Sequence, residues 1–415
     1  MYPKNIKLVC SFITIGLIFI IAIFYSNRNS AEIESISAIE NVVANKVDNK
    51  DEEEIIIVDE IVSNNSDINE IEENEEIESN TIITGEQEES DELKINEEIS
   101  GNDLAFEHSP EHVGSFVIIN SVGYEKFRFN KYNADVYIES VNKYAENLIG
   151  DIKIYNLIAP TSSEFNMPSE YKDLSDSQKD GISYAYTNMD NKIMTVDAYS
   201  NMEAHKDEYL YFKTDHHWTA LGAFRAYESF MKIKGEEPVS LEKYNKIDSV
   251  SKYLGSIYNM TKNERLKNNL DNIWYYNPLL SVEYSAINRD ETSWSARQII
   301  FPSYFDYDRK YGAFMGGDTA FSHIKVDSQS EKKILIIKDS YANAFIPFLL
   351  PHYKDIFIVD PRYYKNNVND LIEDSGIDEV LIINYASVLQ LPVFSQMLGE
   401  MGSVNVTSGT AIKAE

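Results

Sequence analysis

The chain has 415 residues, a formal net charge of −31 and a single cysteine. That length accommodates one or two ordinary domains, and the acidity excludes nucleic-acid binding, which needs a basic face. Cys10 lies in an apolar run near the N-terminus, so the remainder holds no disulfide and no cysteine nucleophile.

Leu8–Tyr25 carries no charge and is long enough, at ~1.5 Å per residue, to cross a ~30 Å hydrocarbon core. Lys4 and Lys7 precede it and Arg28 follows. The positive-inside tendency therefore predicts a single-pass anchor in the cell membrane, residues 1–28, with everything after it outside the cell. A cleaved signal peptide is the competing reading, but no small-x-small cleavage site follows the run. Residues 29–112 contain about −23 of the net charge between 31 and 110, and no aromatic residue precedes Phe106. Such a segment cannot repay its ordering entropy and reads as an acidic, disordered linker.

From Val113 the composition becomes aromatic and periodic, and 113–415 reads as one catalytic domain. Gly114–Asn120 predicts a short strand, Tyr132–Ile149 a helix and Asp151–Pro160 a strand. A helix is expected from Thr219, where Leu221, Phe224, Tyr227 and Met231 recur three and four apart. Residues 235–325 resolve into no elements. Lys333–Lys338, Asp355–Asp360 and Glu379–Asn384 are continuous apolar strands, separated by helices at Tyr341–Leu350 and Asn366–Ser375. This alternation predicts an α/β domain with a doubly wound parallel sheet.

Two segments carry chemistry. Ser340 lies two residues past a strand and at the start of a helix, which exposes its hydroxyl at the sheet rim near free helix N–H groups; as a favoured N-cap residue, it has a purely structural reading too. In Lys213–Phe224 (KTDHHWTALGAF), His217 stands just before a helix, where the positive end of the dipole suits a neutral base. Asp215 is placed to orient that ring. His216 is read as either structural or substrate-contacting, and Trp218 as a packing anchor. Metal binding by Asp215 and His217, with His205 or Asp207, matches no standard zinc spacing, and no metal or cofactor is expected. Candidate oxyanion donors are the backbone N–H of Ser340 or Tyr341, Asn384 at a strand end, and Gly316–Gly317. Asp360 and Arg362 lie at the same rim, as an ion pair or as substrate contacts.

Asp215–His216–His217–Trp218 spells the signature of the DHHW proteins. The chain also resembles the SGNH-hydrolase-like proteins of bacterial exopolysaccharide O-acetylation, such as the alginate O-acetyltransferases. Those carry an Asp-x-His-Trp segment upstream and a Gly-Asp-Ser-like segment downstream, matched here by Asp215, His217 and Ser340 in the same order. Lys338 stands where that block usually has glycine. The resemblance implies an SGNH-like (flavodoxin-like) fold and O-acetyl transfer by a Ser340–His217–Asp215 triad. It further implies a membrane-bound O-acyltransferase as acyl donor and a cell-surface glycan as acceptor. An acetyl esterase using the same triad, or a non-catalytic glycan-binding module, are the alternatives.

Overall fold

The computed structural model describes residues 109–147, 151–249, 252–304 and 310–401, all within the second of two compact units, Ile83–Glu415. The expected anchor at Leu8–Tyr25 and all but the last few residues of the acidic linker lie outside the described residues. Among the described residues, no helix is long and apolar enough to cross a membrane.

In chain order, strands β1 (Glu111–Val113), β2 (Phe116–Ile119) and β3 (Val122–Glu125) precede helix α1 (Lys131–Asn147) and strand β4 (Lys153–Ala159). Helices α2 (Ser162–Phe165) and α3 (Gln178–Asn188), strand β5 (Ile193–Thr195) and helices α4 (Ala198–Ala204) and α5 (Ala220–Lys234) follow. The middle holds β6 (Tyr244–Asp248), α6 (Ser256–Thr261), β7 (Trp274–Pro278), β8 (Val282–Ile287), β9 (Trp294–Ala296) and β10 (Phe321–Val326). The last part comprises β11 (Lys333–Lys338), α7 (Ala342–Phe345), β12 (Asp355–Val359), α8 (Val368–Ser375), β13 (Glu379–Tyr385) and α9 (Pro392–Met401).

Eight strands form one sheet in the order β5-β4-β13-β11-β12-β10-β8-β9. The first five are mutually parallel, whereas β10, β8 and β9 are antiparallel. The expectation of a wholly parallel sheet is thus corrected to a mixed one. The antiparallel strands come from the stretch whose periodicity is uninformative, because β9 is exposed and β8 alternates only partly. The parallel half was legible because β11 is buried on both faces, as its unbroken KILIIK run requires. Leu335 and Ile337 pack with Tyr137 of α1, Ile372 of α8 and Leu398 of α9. Ile334 and Ile336 face the other way, toward Phe230 of α5 and Phe345 of α7. Each such fully buried aliphatic side chain contributes roughly 1.5–3 kcal/mol.

The helix expected over Tyr341–Leu350 is shorter. After α7 the chain tightens into a 3-10 stretch, Ile346–His352, because Pro347 and Pro351 lack the N–H that an α-helical ladder needs. The helix beginning near Thr219 forms as expected. The Thr219 side chain accepts from the Gly222 N–H at 3.3 Å, and Gly235 ends the helix in the left-handed region at φ +69°.

Candidate active site

The Asp-His-His-Trp segment sits on a tight loop whose two limbs pair. Tyr211 bridges Trp218, and the Thr219 N–H donates to the Leu210 carbonyl at 2.8 Å. Gly222 makes this approach feasible, since a Cβ there would lie 2.3 Å from the Leu210 oxygen. Buried Asp271 grips the incoming limb. It accepts from the N–H groups of Lys213 and Thr214, both at 2.8 Å, and from the Thr214 hydroxyl at 2.6 Å.

That loop delivers His217 to Ser340, which stands between β11 and α7 at the carboxyl edge of the parallel strands. His217 Nε2 lies 2.8 Å from Ser340 Oγ, and Nδ1 lies 2.7 Å from Asp215 Oδ1. The same carboxylate oxygen accepts the backbone N–H of His217 at 2.9 Å. Asp215 Oδ2 accepts from the Tyr253 hydroxyl at 2.5 Å and the Ser256 N–H at 2.8 Å. Gly255 lets this segment close over the acid, because a Cβ there would lie 2.4 Å from Asp215 Cβ. Burial alone would raise the Asp215 pKa. The His217 charge, with hydrogen bonds from His217 and Tyr253, outweighs it and holds the carboxyl well below its usual range. An ionised Asp215 keeps the imidazole proton on Nδ1 and leaves Nε2 to accept from the serine hydroxyl.

Two rings sandwich His217. Tyr311 stacks on His217 with centroids 3.7 Å apart and planes 9° from parallel. His216 lies 3.9 Å away, tilted by 35°; at such short separations the two must cover opposite faces. The Tyr311 hydroxyl also donates to the carbonyls of Ser340 and Tyr341, at 3.1 and 3.2 Å. His216 is fixed by Ser256 Oγ, which meets its Nδ1 at 2.6 Å and its backbone N–H at 3.2 Å. Burial, and then the neighbouring His217 charge, lowers the His216 pKa to about 3, so this second ring stays neutral. Trp218 is the packing anchor: it is fully buried, and its Nε1 donates to the Tyr341 carbonyl at 2.8 Å. Asp215, His216 and His217 are close enough to be considered as cation ligands. Both ring nitrogens of His217 and His216 Nδ1 are already engaged in the hydrogen bonds above.

The expected oxyanion donors need correction. The Tyr341 N–H donates to Asp339 Oδ1 at 2.9 Å, so it is not free to serve the Ser340 hydroxyl. Asn384 is wholly buried, with Nδ2 on Asp339 Oδ2 at 3.2 Å and Oδ1 accepting from Tyr137. Asp339 therefore ties the turn at Ser340 to the end of β13, where it also accepts the Tyr385 N–H at 3.0 Å. The Gly317 N–H is taken by the Phe314 carbonyl at 3.1 Å. Gly316 and Gly317, at φ +71° and +81°, form a turn that leads into Asp318. Of the predicted donors, the N–H groups of Ser340 and Gly316 have no hydrogen-bond partner among the described residues.

Lys338 takes the place of a motif glycine without conflict, because its φ is not positive. Its buried Nζ donates to Asp318 Oδ1 at 2.6 Å. Arg362 bonds Asp360 through Nε and Nη2, at 3.0 and 2.7 Å, and Asp318 Oδ2 through Nη2 at 2.8 Å. The ion pair expected of Asp360 and Arg362 therefore forms. Tyr253, Gly255, Ser256, Asp271 and Tyr311 escaped the sequence reading: all lie in the stretch without periodicity.

The family model of the DHHW proteins matches residues 21–359. A DHHW family protein from Eubacterium siraeum, known from its crystal structure, is 26% identical with a TM-score of 0.63, over 70% of this chain and 96% of that one. Bacillus cereus PatB1 is 20% identical with a TM-score of 0.55, over 69% of this chain and 98% of its own. A second PatB1 structure, with a sulfonyl adduct, is similar at 19% identity and a TM-score of 0.55, over 66% and 94% of the two chains. The likeness to PatB1 is one of fold. No curated protein sequence matches this chain.

Proposed function

The chain belongs to the DHHW protein family, and from that premise we propose that it transfers an acyl group, acetyl in the simplest case, to a cell-surface polysaccharide. The observation that carries this reading is the unbroken relay from Ser340 Oγ through His217 to Asp215, at 2.8 and 2.7 Å. The likeness of the two motifs to those of exopolysaccharide O-acetylation proteins favours a sugar acceptor.

Ser340 Oγ attacks the acyl carbonyl of the donor while His217 Nε2 takes the hydroxyl proton. The tetrahedral oxyanion meets the Ser340 N–H at the start of the following helical turn. Its collapse breaks the bond to the donor, which leaves with the proton from His217, and forms an acyl-serine. A sugar hydroxyl then attacks, His217 takes its proton, and collapse returns that proton to Ser340. The general-base step contributes ~10²–10⁴-fold. A membrane-bound O-acyltransferase supplies the acyl group, and residues 1–28 hold the protein at the membrane with residues 113–415 outside. Ser340→Ala in the producing cell should abolish acetylation of the native glycan; unchanged acetylation would contradict the proposal.

A further inference from the structure

Beside the nucleophile, cationic side chains gather on a chain whose formal charge is −31. Met315, Gly316 and Gly317 all have positive φ and turn the backbone into Asp318. Three guanidinium groups converge on this turn. Arg297 Nη1 donates to the Gly316 carbonyl at 3.4 Å, Arg289 Nε to the Asp318 carbonyl at 3.3 Å, and Arg362 Nη2 to Asp318 Oδ2 at 2.8 Å. Lys338 shares the same carboxylate. Four cations are thus answered by two carboxylates, Asp318 and Asp360. Neither Arg289 nor Arg297 forms an ion pair among the described residues.

The cluster is joined to the catalytic turn. Lys338 is two residues before Ser340, and Asn343, three residues after it, donates to Asp318 Oδ1 at 2.9 Å. Arg289 follows β8 and Arg362 follows β12, and both guanidinium carbons lie over the Tyr363 ring, 5.0 and 5.2 Å from its centroid. All three of these side chains are half-buried. Burial by itself would raise the Asp318 pKa, yet Lys338, Arg362 and Arg289 drive it well below the usual range, a measure of the local positive field.

A partly desolvated guanidinium without a counter-ion is costly, and its planar fork fits a carboxylate or phosphate. Arg362 is already matched by Asp360 and Asp318, whereas Arg289 is not, and we infer that Arg289, over Tyr363 and beside the Arg362 pair, forms a subsite for an anionic substituent, carboxylate or phosphate, of the acceptor glycan. This deepens the proposed acyl transfer and rests on it for the word acceptor. Tyr363 lies under both guanidinium groups, and Asp318 accepts one hydrogen bond from each, through its carbonyl from Arg289 and through Oδ2 from Arg362.

The test is calorimetric binding to the full chain in detergent, with four probes: tetragalacturonate, its methyl-esterified neutral form, an oligo(glycerol phosphate) and inorganic phosphate. Tighter binding of a charged oligomer than of the neutral one, on the order of tenfold, is expected, weakening with added salt. That preference should collapse in Arg289→Gln, since the only hydrogen bond of the Arg289 side chain among the described residues is to the Asp318 main-chain carbonyl. Which charged oligomer binds better distinguishes carboxylate from phosphate. Equal binding of charged and neutral probes, or an Arg289→Gln variant with wild-type preference, overturns the subsite. Binding of inorganic phosphate alone also overturns it as a glycan site. Acylation of Ser340 by p-nitrophenyl acetate, which involves no glycan, is followed in the same wild-type preparation. An acyl-serine without charge preference removes only the subsite, whereas charge preference without an acyl-serine removes only the transfer reading.

Discussion

The Tyr253 hydroxyl donates to Asp215 Oδ2 at 2.5 Å, on the oxygen opposite the one that holds His217. The acid is gripped from both sides, and the tyrosine behind it is a positioning residue. A hydrogen bond to a buried charge contributes about 1.5–3 kcal/mol. Tyr253→Phe should therefore lower kcat/KM by roughly tenfold or more. Steady-state kinetics on Tyr253→Phe at several pH values checks this; a wild-type profile would show that Asp215 needs no support from behind.

Tyr311 touches both His217 and Ser340. It stacks on His217 and donates to the carbonyls of Ser340 and Tyr341. Removing only the hydroxyl, in Tyr311→Phe, keeps the stacking, whereas Tyr311→Leu loses both contacts. The rate of Ser340 labelling by a sulfonyl fluoride should fall in the order wild type, Phe, Leu. Equal rates in all three would mean that the sandwich does not hold the base.

Gly255 has an ordinary negative φ of −93°, so its requirement is spatial. A methyl group there collides with Asp215 at 2.4 Å, and neither a Cβ nor the backbone can move aside cheaply. Gly255→Ala should cost about 1–3 kcal/mol of stability and displace the acid from His217. Urea unfolding together with active-site labelling would detect both effects. A fully stable, fully reactive Gly255→Ala protein would contradict the close packing described.

His216 makes stability depend on pH. Its pKa falls from 6.5 to about 3 in the fold, so between those values the unfolded chain binds a proton that the folded chain refuses. Stability must then decrease as pH drops from about 6.5 toward about 3. His352, lowered to about 4, adds a second contribution of the same sign. Melting temperatures of His216→Gln across that range should show a shallower decline than wild type, with His352, His323 and the depressed carboxylates such as Asp215 and Asp318 supplying the residual slope. An unchanged slope would indicate that His216 charges freely in the folded protein.

The legible part of this protein is local in sequence. Asp215 and His217 are two residues apart, and Ser340 follows a strand whose apolar run identifies it, so the three residues that the fold brings into contact could be singled out before any fold was known. The residues around it are distant: Tyr253 reaches Asp215 across 38 positions and Asp271 reaches Thr214 across 57. No periodic pattern announces such contacts. The expected donors Tyr341 and Asn384 failed for a related reason, since both bond Asp339, whose role depends on β13 lying beside β11. The antiparallel part of the sheet was hidden because β9 is short and exposed and β8 alternates only partly.

The most direct test of the central claim is the intact mass of the full chain after exposure to p-nitrophenyl acetate, followed by peptide mapping. The account predicts one acetyl adduct on Ser340 in the wild type, slowed at least a hundredfold in His217→Ala and missing in Ser340→Ala. An adduct on another residue, or one that persists in folded Ser340→Ala, would contradict the assignment of Ser340 as the nucleophile.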